Sequence, residues 1–393
     1  MNMPNFSLEP LSNYFEVYHA RKTYSRSFLK NRLIEAQQDL VEQIKKLIQN
    51  PLDPELASLL LTTVGSSTSI ASSIINYIRA HFTLNFEMTD IHSNEHKSII
   101  QKVAKGLPIT NKSYEDIFKH IVLEREFAHS NKNYKTKLKL ESINSTIVLV
   151  PGALNELFKG ASFERATKKL FSVNHIKYFV AKTSGNKSST YNSQVLSRKF
   201  KSYIKKNPKE KLWVIAFSKG GNDLLHFLKN DATFAKKHLT GVSTIASPIL
   251  GTSHFNKKTT AFYYKIYKKI EKIFPMYIHG EFFNHLKEDY RKQWFMKNHE
   301  KLPKNIFYSA LALESDWYDS HIYMIIAKAF LSTSQKNDGL VEVKNAQFPD
   351  YFNALNLGSV KGHHLVSTNS SSFNQEALIE SHIIFLNYLG LIN

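Results

Sequence analysis

The sequence predicts an α/β protein with a mostly parallel sheet flanked by helices, and two observations carry that prediction. From residue 145 onward, short apolar runs of strand length alternate with segments of helical spacing, as when successive strands are joined by crossover helices. At the centre lies KLWVIAFSKGGNDLLHFL, residues 211–228. Residues 212–217 are an almost uninterrupted apolar run, the mark of a strand buried on both faces. Directly behind them Ser218, Lys219, Gly220 and Gly221 lead into a segment whose Leu224, Leu225 and Leu228 fall on one side of a helix.

In chain order, residues 1–140 are expected to form a helical N-terminal region that precedes the sheet and covers it. Residues 27–49 are a long charged amphipathic stretch, closed by the N-P-L-D-P run at 50–54. Further helices are expected over 53–80, 94–105 and 113–125. Residues 56–78 carry no charge over 23 positions, long enough to cross a bilayer, but nine of the 23 are Ser or Thr and G-S-S-T-S interrupts the middle. Two packed helices with a turn fit better than a span. The α/β domain is expected over 145–393: strand 146–150, helix 163–170, strand 175–181, helix 191–205, the strand at 212–217, then strands at 241–247 and 305–312 and a last helix over 376–389. Residues 253–301, rich in lysine and in aromatics such as Phe262, Tyr263, Trp294 and Phe295, are expected to be a helical cap or lid inserted after the fourth strand. Those rings either pack the helices onto the domain or meet a lipid interface.

Composition narrows the classes. With 393 residues, 42% hydrophobic and 22% charged, the chain can bury a large core. Fifty-two Lys and Arg against 33 Asp and Glu give +19, which favours anionic surfaces or is a solvated lysine-rich exterior. The lysines are spread along the chain, not interleaved with aromatics in a known module, so no nucleic-acid partner is expected. Zero cysteines exclude disulfides, a thiol nucleophile and thiolate metal sites. The first residues lack a basic start followed by an apolar core, so no signal peptide is expected, and the location anticipated is cytoplasmic or peripheral to a membrane.

The chemistry concentrates around Ser218. A serine in a turn between a buried strand and a helix has its hydroxyl pushed out at the carboxyl end of the sheet, beside the free N–H groups of the helix's first turn. A-F-S-K-G, residues 216–220, matches the elbow G-x-S-x-G with Ala216 for the first glycine; both positions must be small because strand and helix nearly collide there. Neither G-x-x-x-x-G-K-[ST] nor G-x-G-x-x-G occurs here, which argues against a phosphate-binding turn. A serine needs a base, and the base an orienting carboxylate. Downstream lie the N-D-G-L-V run at 337–341 and G-H-H-L-V at 362–366, with room for one strand between them. Taken singly, Asp338 is a turn residue and His363 or His364 a loop histidine.

Together, S-K-G-G at 218–221, N-D-G-L-V at 337–341 and the H-L pair at His364 and Leu365 resemble the α/β-hydrolase superfamily, particularly bacterial triacylglycerol lipases and related esterases. V-P-G-A at 150–153 is similar to the family's oxyanion strand, and A-S-P-I-L-G-T at 246–252 to its G-T-P-H-x-G-S segment. The resemblance covers about 145–393 and implies Ser218 as nucleophile, Asp338 as acid, His364 rather than His363 as base, and the backbone N–H groups of Ala153 and Lys219 as oxyanion donors. The activity it implies is hydrolysis of carboxylic esters, lipid-like acyl esters above all, with acyl transfer or non-catalytic lipid or anion binding as alternatives on the same fold. Pro151, Ala216 and Ile249 depart from the family pattern, and Val366 stands where the lipases carry a calcium ligand. No metal and no cofactor is therefore expected. The Lys219 side chain is expected to point to solvent or to meet an anionic substrate.

Overall fold

The computed structural model describes residues 91–392 except 92, 132, 154, 156–162, 256–279, 316–323, 325–326, 329–334 and 369–372. The expected helices over 27–49 and 53–80, the apolar stretch 56–78, and much of the cap lie outside the described residues.

Six parallel strands form one sheet in the order β2-β1-β3-β4-β5-β6. They are β1 (Ser145–Val150), β2 (Tyr178–Val180), β3 (Lys211–Phe217), β4 (Leu239–Ile245), β5 (Phe307–Glu314) and β6 (Leu355–Lys361). Two helices come first, α1 (Asn94–Ala104) and α2 (Tyr114–Ser130). Then α3 (Glu164–Val173), α4 (Ser189–Lys206), α5 (Lys219–Asn230) and α6 (Ala232–His238) connect the first four strands. The described part of the insertion contributes α7 (Gly280–Asn284) and α8 (Glu288–Asn298), and α9 (Gln375–Tyr388) closes the chain.

The period-2 alternation of a strand explains why the sheet is covered on both faces. Ile147 and Leu149 of β1, with Trp213 and Ile215 of β3, join a core with α1, α2, α3 and α9. Val148 and Val150, with Leu212, Val214 and Ala216, point the other way into a core with α4, α5 and α8. Nearly every one of these side chains is fully buried, each stabilising the fold by about 1.5–3 kcal/mol if it is as large as valine.

Helix and strand ends differ from the sequence expectation for local reasons. The serine N-cap Ser188, which accepts from Tyr191 N, starts α4 two residues earlier than expected. Strand β2 is short because His175 adopts a left-handed φ of 54° and Ile176 N bonds Phe171 O, so residues 175–177 are used in leaving α3. Strand β4 stops at Ile245 because Ala246 takes φ 50°.

Helices α1 and α2 are built into the sheet's own core: Ile99, Phe118 and Ile121 share one apolar cluster with β1 and α9. A buried polar joint reinforces this. Arg125 of α2 donates from Nε and Nη2 to Glu380 Oε2 of α9, at 2.9 and 2.7 Å, and His129 Nε2 lies 2.6 Å from the same oxygen. Burial pushes the Glu380 carboxyl up, but the His129 hydrogen bond and the Arg125 charge more than offset it, leaving it below the usual range. Among the described residues no helix is long and apolar enough to cross a membrane.

Candidate active site

Strand β3 delivers Ser218 at its carboxyl end as the cap residue of α5, with φ 52° and ψ −134°. That strained turn, which few side chains adopt, is held by Ser218 N donating to Ile245 O at 2.9 Å. The turn is possible because the neighbours are small. A Cβ on Gly220 would overlap the carbonyl oxygen of Pro151, and one on Gly152 would sit 2.9 Å from Ser218 Cβ. The end of β1 and the start of α5 therefore meet directly, with Ser218 between them.

Asp338 and His364 arrive from the far edge of the sheet. Asp338 lies in the N-D-G-L-V turn between β5 and β6, where Gly339 at φ 102° reverses the chain and its N–H caps onto Asn337 Oδ1. Asp338 Oδ1 accepts from the N–H groups of Leu340 and Val341 at 2.9 and 2.8 Å, so the carboxylate cannot rotate freely. The turn is anchored by Thr252 Oγ1 donating to Leu340 O at 2.6 Å and by Ser253, whose N–H and hydroxyl donate to the buried Glu342 carboxylate. After β6, His364 N donates to Asp338 O at 2.8 Å, which joins the two loops through the backbone.

The three side chains predicted from sequence meet. His364 Nδ1 is 2.7 Å from Asp338 Oδ2, and His364 Nε2 is 2.7 Å from Ser218 Oγ. A carboxylate oxygen can only accept, so Nδ1 carries the proton, Nε2 accepts, and the Ser218 hydroxyl donates. All three are nearly buried, at 6% for Ser218, 4% for His364 and 1% for Asp338. His363 faces elsewhere: its Nδ1 accepts from Leu365 N at 3.1 Å. The Lys219 N–H is the first of α5, a position with no intrahelical acceptor, and Ala153 is half-buried in the turn after β1. His254 stands close enough to feel both His364 and Asp338; burial above all, then repulsion from the His364 ring when both are protonated, lowers it to about 4.

One expectation is corrected. The Lys219 side chain neither faces solvent nor offers a charge to a substrate: it is 1% exposed and its Nζ pairs with Asp223, one turn on, at 2.7 and 3.0 Å. Burial follows from what packs there. Helix α5 is covered all round over residues 219–228, not on its leucine side alone, because α4 and the described part of the insertion close over its polar side. Asn192 of α4 donates to Asp223 Oδ2 at 2.8 Å. His285 Nδ1 accepts from Ser189 N, and the His226 ring stacks on Trp294 at 4.4 Å. Arg291, wholly buried, donates to Ile249 O at 3.1 Å and to His226 Nε2 at 3.3 Å. The described part of 253–301 is thus docked on the scaffold beside the site. Sequence reasoning passed over Asn155, Asn192 and Asp223; the Lys219–Asp223 spacing of four was the one legible signal, and only burial gives it meaning.

Among the described residues no cluster of His, Cys, Asp and Glu is arranged to hold a metal ion. An apolar cluster of Phe255, Phe282 and Leu286, with Phe283, flanks the site and touches Ala153 and Leu340.

No family model matches the chain, and no curated protein matches it in sequence. Among solved structures, a metagenomic carboxyl esterase superposes with a TM-score of 0.52 at 20% identity, over 66% of this chain and 80% of the esterase. A lipase of Bacillus licheniformis in its mature form gives 0.45 at 17% identity, over 63% of this chain and 91% of the lipase. A phospholipase of Legionella pneumophila gives 0.38 at 10% identity, over 52% and 45% of the respective chains. At such identities the esterase likeness establishes a shared fold and nothing finer.

Proposed function

Because the chain has the fold of the α/β-hydrolases, we propose that it is a serine hydrolase of carboxylic esters, with residues 145–393 as its catalytic domain and lipid-like acyl esters as substrates. The observation that carries this reading is the unbroken relay from the Asp338 carboxylate through His364 to the Ser218 hydroxyl, 2.7 Å at each joint. Ser218 Oγ attacks the ester carbonyl while His364 Nε2 takes its proton; Asp338 holds the tautomer and stabilises the imidazolium that forms. The oxyanion is received by the N–H groups of Ala153 and Lys219, each donor contributing roughly 3–4 kcal/mol in sites of this type. His364 then returns the proton to the leaving alcohol, and water, activated by the same imidazole, hydrolyses the acyl-enzyme. The apolar wall of Phe255, Phe282, Phe283 and Leu286 beside Ala153 supports an acyl group as the part of the substrate bound. The charge of +19 supports a peripheral contact with an anionic membrane surface, whereas Trp294 and Phe295 of the 253–301 stretch pack into the core.

The test is covalent labelling with a fluorophosphonate together with turnover of p-nitrophenyl acyl esters. The protein is expected to take one label on Ser218 and to hydrolyse the esters, and Ser218→Ala to lose both while its circular dichroism stays unchanged. Undiminished turnover in Ser218→Ala would sink the mechanism. Absence of labelling in the folded wild type would leave a lipid- or anion-binding protein on this fold. An added alcohol that diverts the acyl group from water would make it an acyltransferase.

A further inference from the structure

Between the two groups assigned to the oxyanion runs a continuous chain of side-chain hydrogen bonds. On the β1 side, Asn155 Nδ2 donates to Gly152 O at 3.2 Å, in the residue just before Ala153, and to Thr183 O at 3.1 Å in the loop after β2. The next residue, Ser184, exchanges two bonds with Asn192 of α4: Ser184 N to Oδ1 at 3.1 Å and Nδ2 to Ser184 O at 2.9 Å. The other Asn192 N–H reaches Asp223 Oδ2 at 2.8 Å, and Asp223 grips Lys219 Nζ at 2.7 and 3.0 Å. The chain thus starts beside one oxyanion N–H and ends on the residue that owns the other.

Burial separates this from ordinary helix decoration. An exposed Lys–Asp pair at this spacing stabilises a helix by only a few tenths of a kcal/mol. Here Asn192 is 0%, Asp223 1% and Lys219 1% exposed. Taking both charges out of water is costly, and apolar residues of similar volume often stabilise as well or better. Stability therefore gives a poor reason for the pair, whereas a dry, fully hydrogen-bonded network is well suited to fixing geometry. Asn192 uses both N–H groups and its oxygen in the network, so it has no slack.

We propose that Asn192, Asp223 and the Lys219 side chain are positioning residues that fix the distance between the Ala153 and Lys219 N–H groups, and so set how well the oxyanion is held. The inference rests on the serine-hydrolase reading above. It assigns none of these side chains a contact with substrate. Its consequence is selective: the network acts on the transition state, where negative charge gathers on oxygen, and leaves ground-state binding alone.

Asn192→Ala tests it, measured on the full chain with p-nitrophenyl acetate and with the matching thionoester, rates being normalised to the fraction labelled by fluorophosphonate. The sulfur of a thionoester is a poor hydrogen-bond acceptor, so its turnover depends little on oxyanion donors. Asn192→Ala is expected to lower kcat for the oxygen ester by about ten- to a hundredfold, the scale of loss for a sub-ångström misplacement. KM should stay within about threefold, and the thionoester rate should fall much less. If that variant does not fold, the double substitution Lys219→Met with Asp223→Leu removes the same link while filling the space, and is read in the same way. Equal losses on both esters, or an unchanged kcat, overturn the inference while the hydrolase reading stands. A wild type that neither labels nor hydrolyses overturns both.

Discussion

At the scale of single residues, Asp338 shows how far a role depends on what surrounds a side chain. In sequence it is a turn residue; in the fold one oxygen is tied by two backbone N–H groups and the other faces His364 Nδ1. The imidazole is thereby held with its proton on Nδ1, leaving Nε2 to accept from Ser218. Asp338→Asn keeps the shape but can present an N–H to Nδ1 in place of an acceptor. The imidazole then carries its proton on Nε2 and cannot serve as base. We expect kcat for p-nitrophenyl esters to drop on the order of 10⁴-fold with an unchanged melting temperature. Retention of more than a tenth of the activity would show that another group orients His364. Lys219 makes the opposite point: a residue that looks like surface charge in the sequence is one of the most deeply buried side chains of the elbow helix.

At the scale of elements, strand β3 and helix α5 work only because the end of β1 passes against them. Gly220 faces the Pro151 carbonyl, a backbone atom that cannot swing aside, and Gly221 faces the Ser247 side chain. Gly220→Ala must move either α5 or the arm that carries Ala153. The expected cost is about 1–3 kcal/mol, seen as a lower urea midpoint, and kcat should fall with it because the proposed oxyanion donors sit on the two parts forced apart. A folded Gly220→Ala protein with both midpoint and kcat unchanged would contradict this packing. The elbow pattern S-x-G was legible because the steric demand is local; the strand before it was legible because burial on both faces leaves an unbroken apolar run. Helix ends and β2 were less so, since a left-handed His175 or Ala246 leaves no residue signature.

For the whole molecule, buried imidazoles make stability depend on pH. Burial lowers His254, His285 and His382 to about 4, and His226 is held lower still by burial and the Arg291 charge. In the unfolded chain each takes up a proton near pH 6.5. Their neutral forms therefore stabilise the fold fully above about pH 6.5, and this stability is lost as pH falls from there to about 4. His382 of α9 is wholly buried, edge-on to Phe118 at 5.8 Å, with neither ring nitrogen hydrogen-bonded among the described residues. We expect His382→Phe to shrink the difference in unfolding free energy between pH 7.5 and pH 5 by roughly 2 kcal/mol. An unaltered difference in urea titrations at the two pH values would mean that His382 is hydrated in the fold.

The α/β class and the tight turn at Ser218 follow from the sequence by itself, because both rest on near neighbours: apolar runs, and small residues where strand and helix nearly collide; the roles expected of Ser218, Asp338 and His364 came from the resemblance of their motifs to a known family. The resemblance favoured His364 over His363, and the fold sets the His364 ring, not its neighbour's, against the Asp338 carboxylate. Only the tertiary structure decided the membership of α1 and α2 in the sheet's core and the network from Asn155 through Asn192 and Asp223 to Lys219. These rest on partners up to hundreds of positions apart along the chain, and one-dimensional patterning carries no information about which polar groups burial will force together.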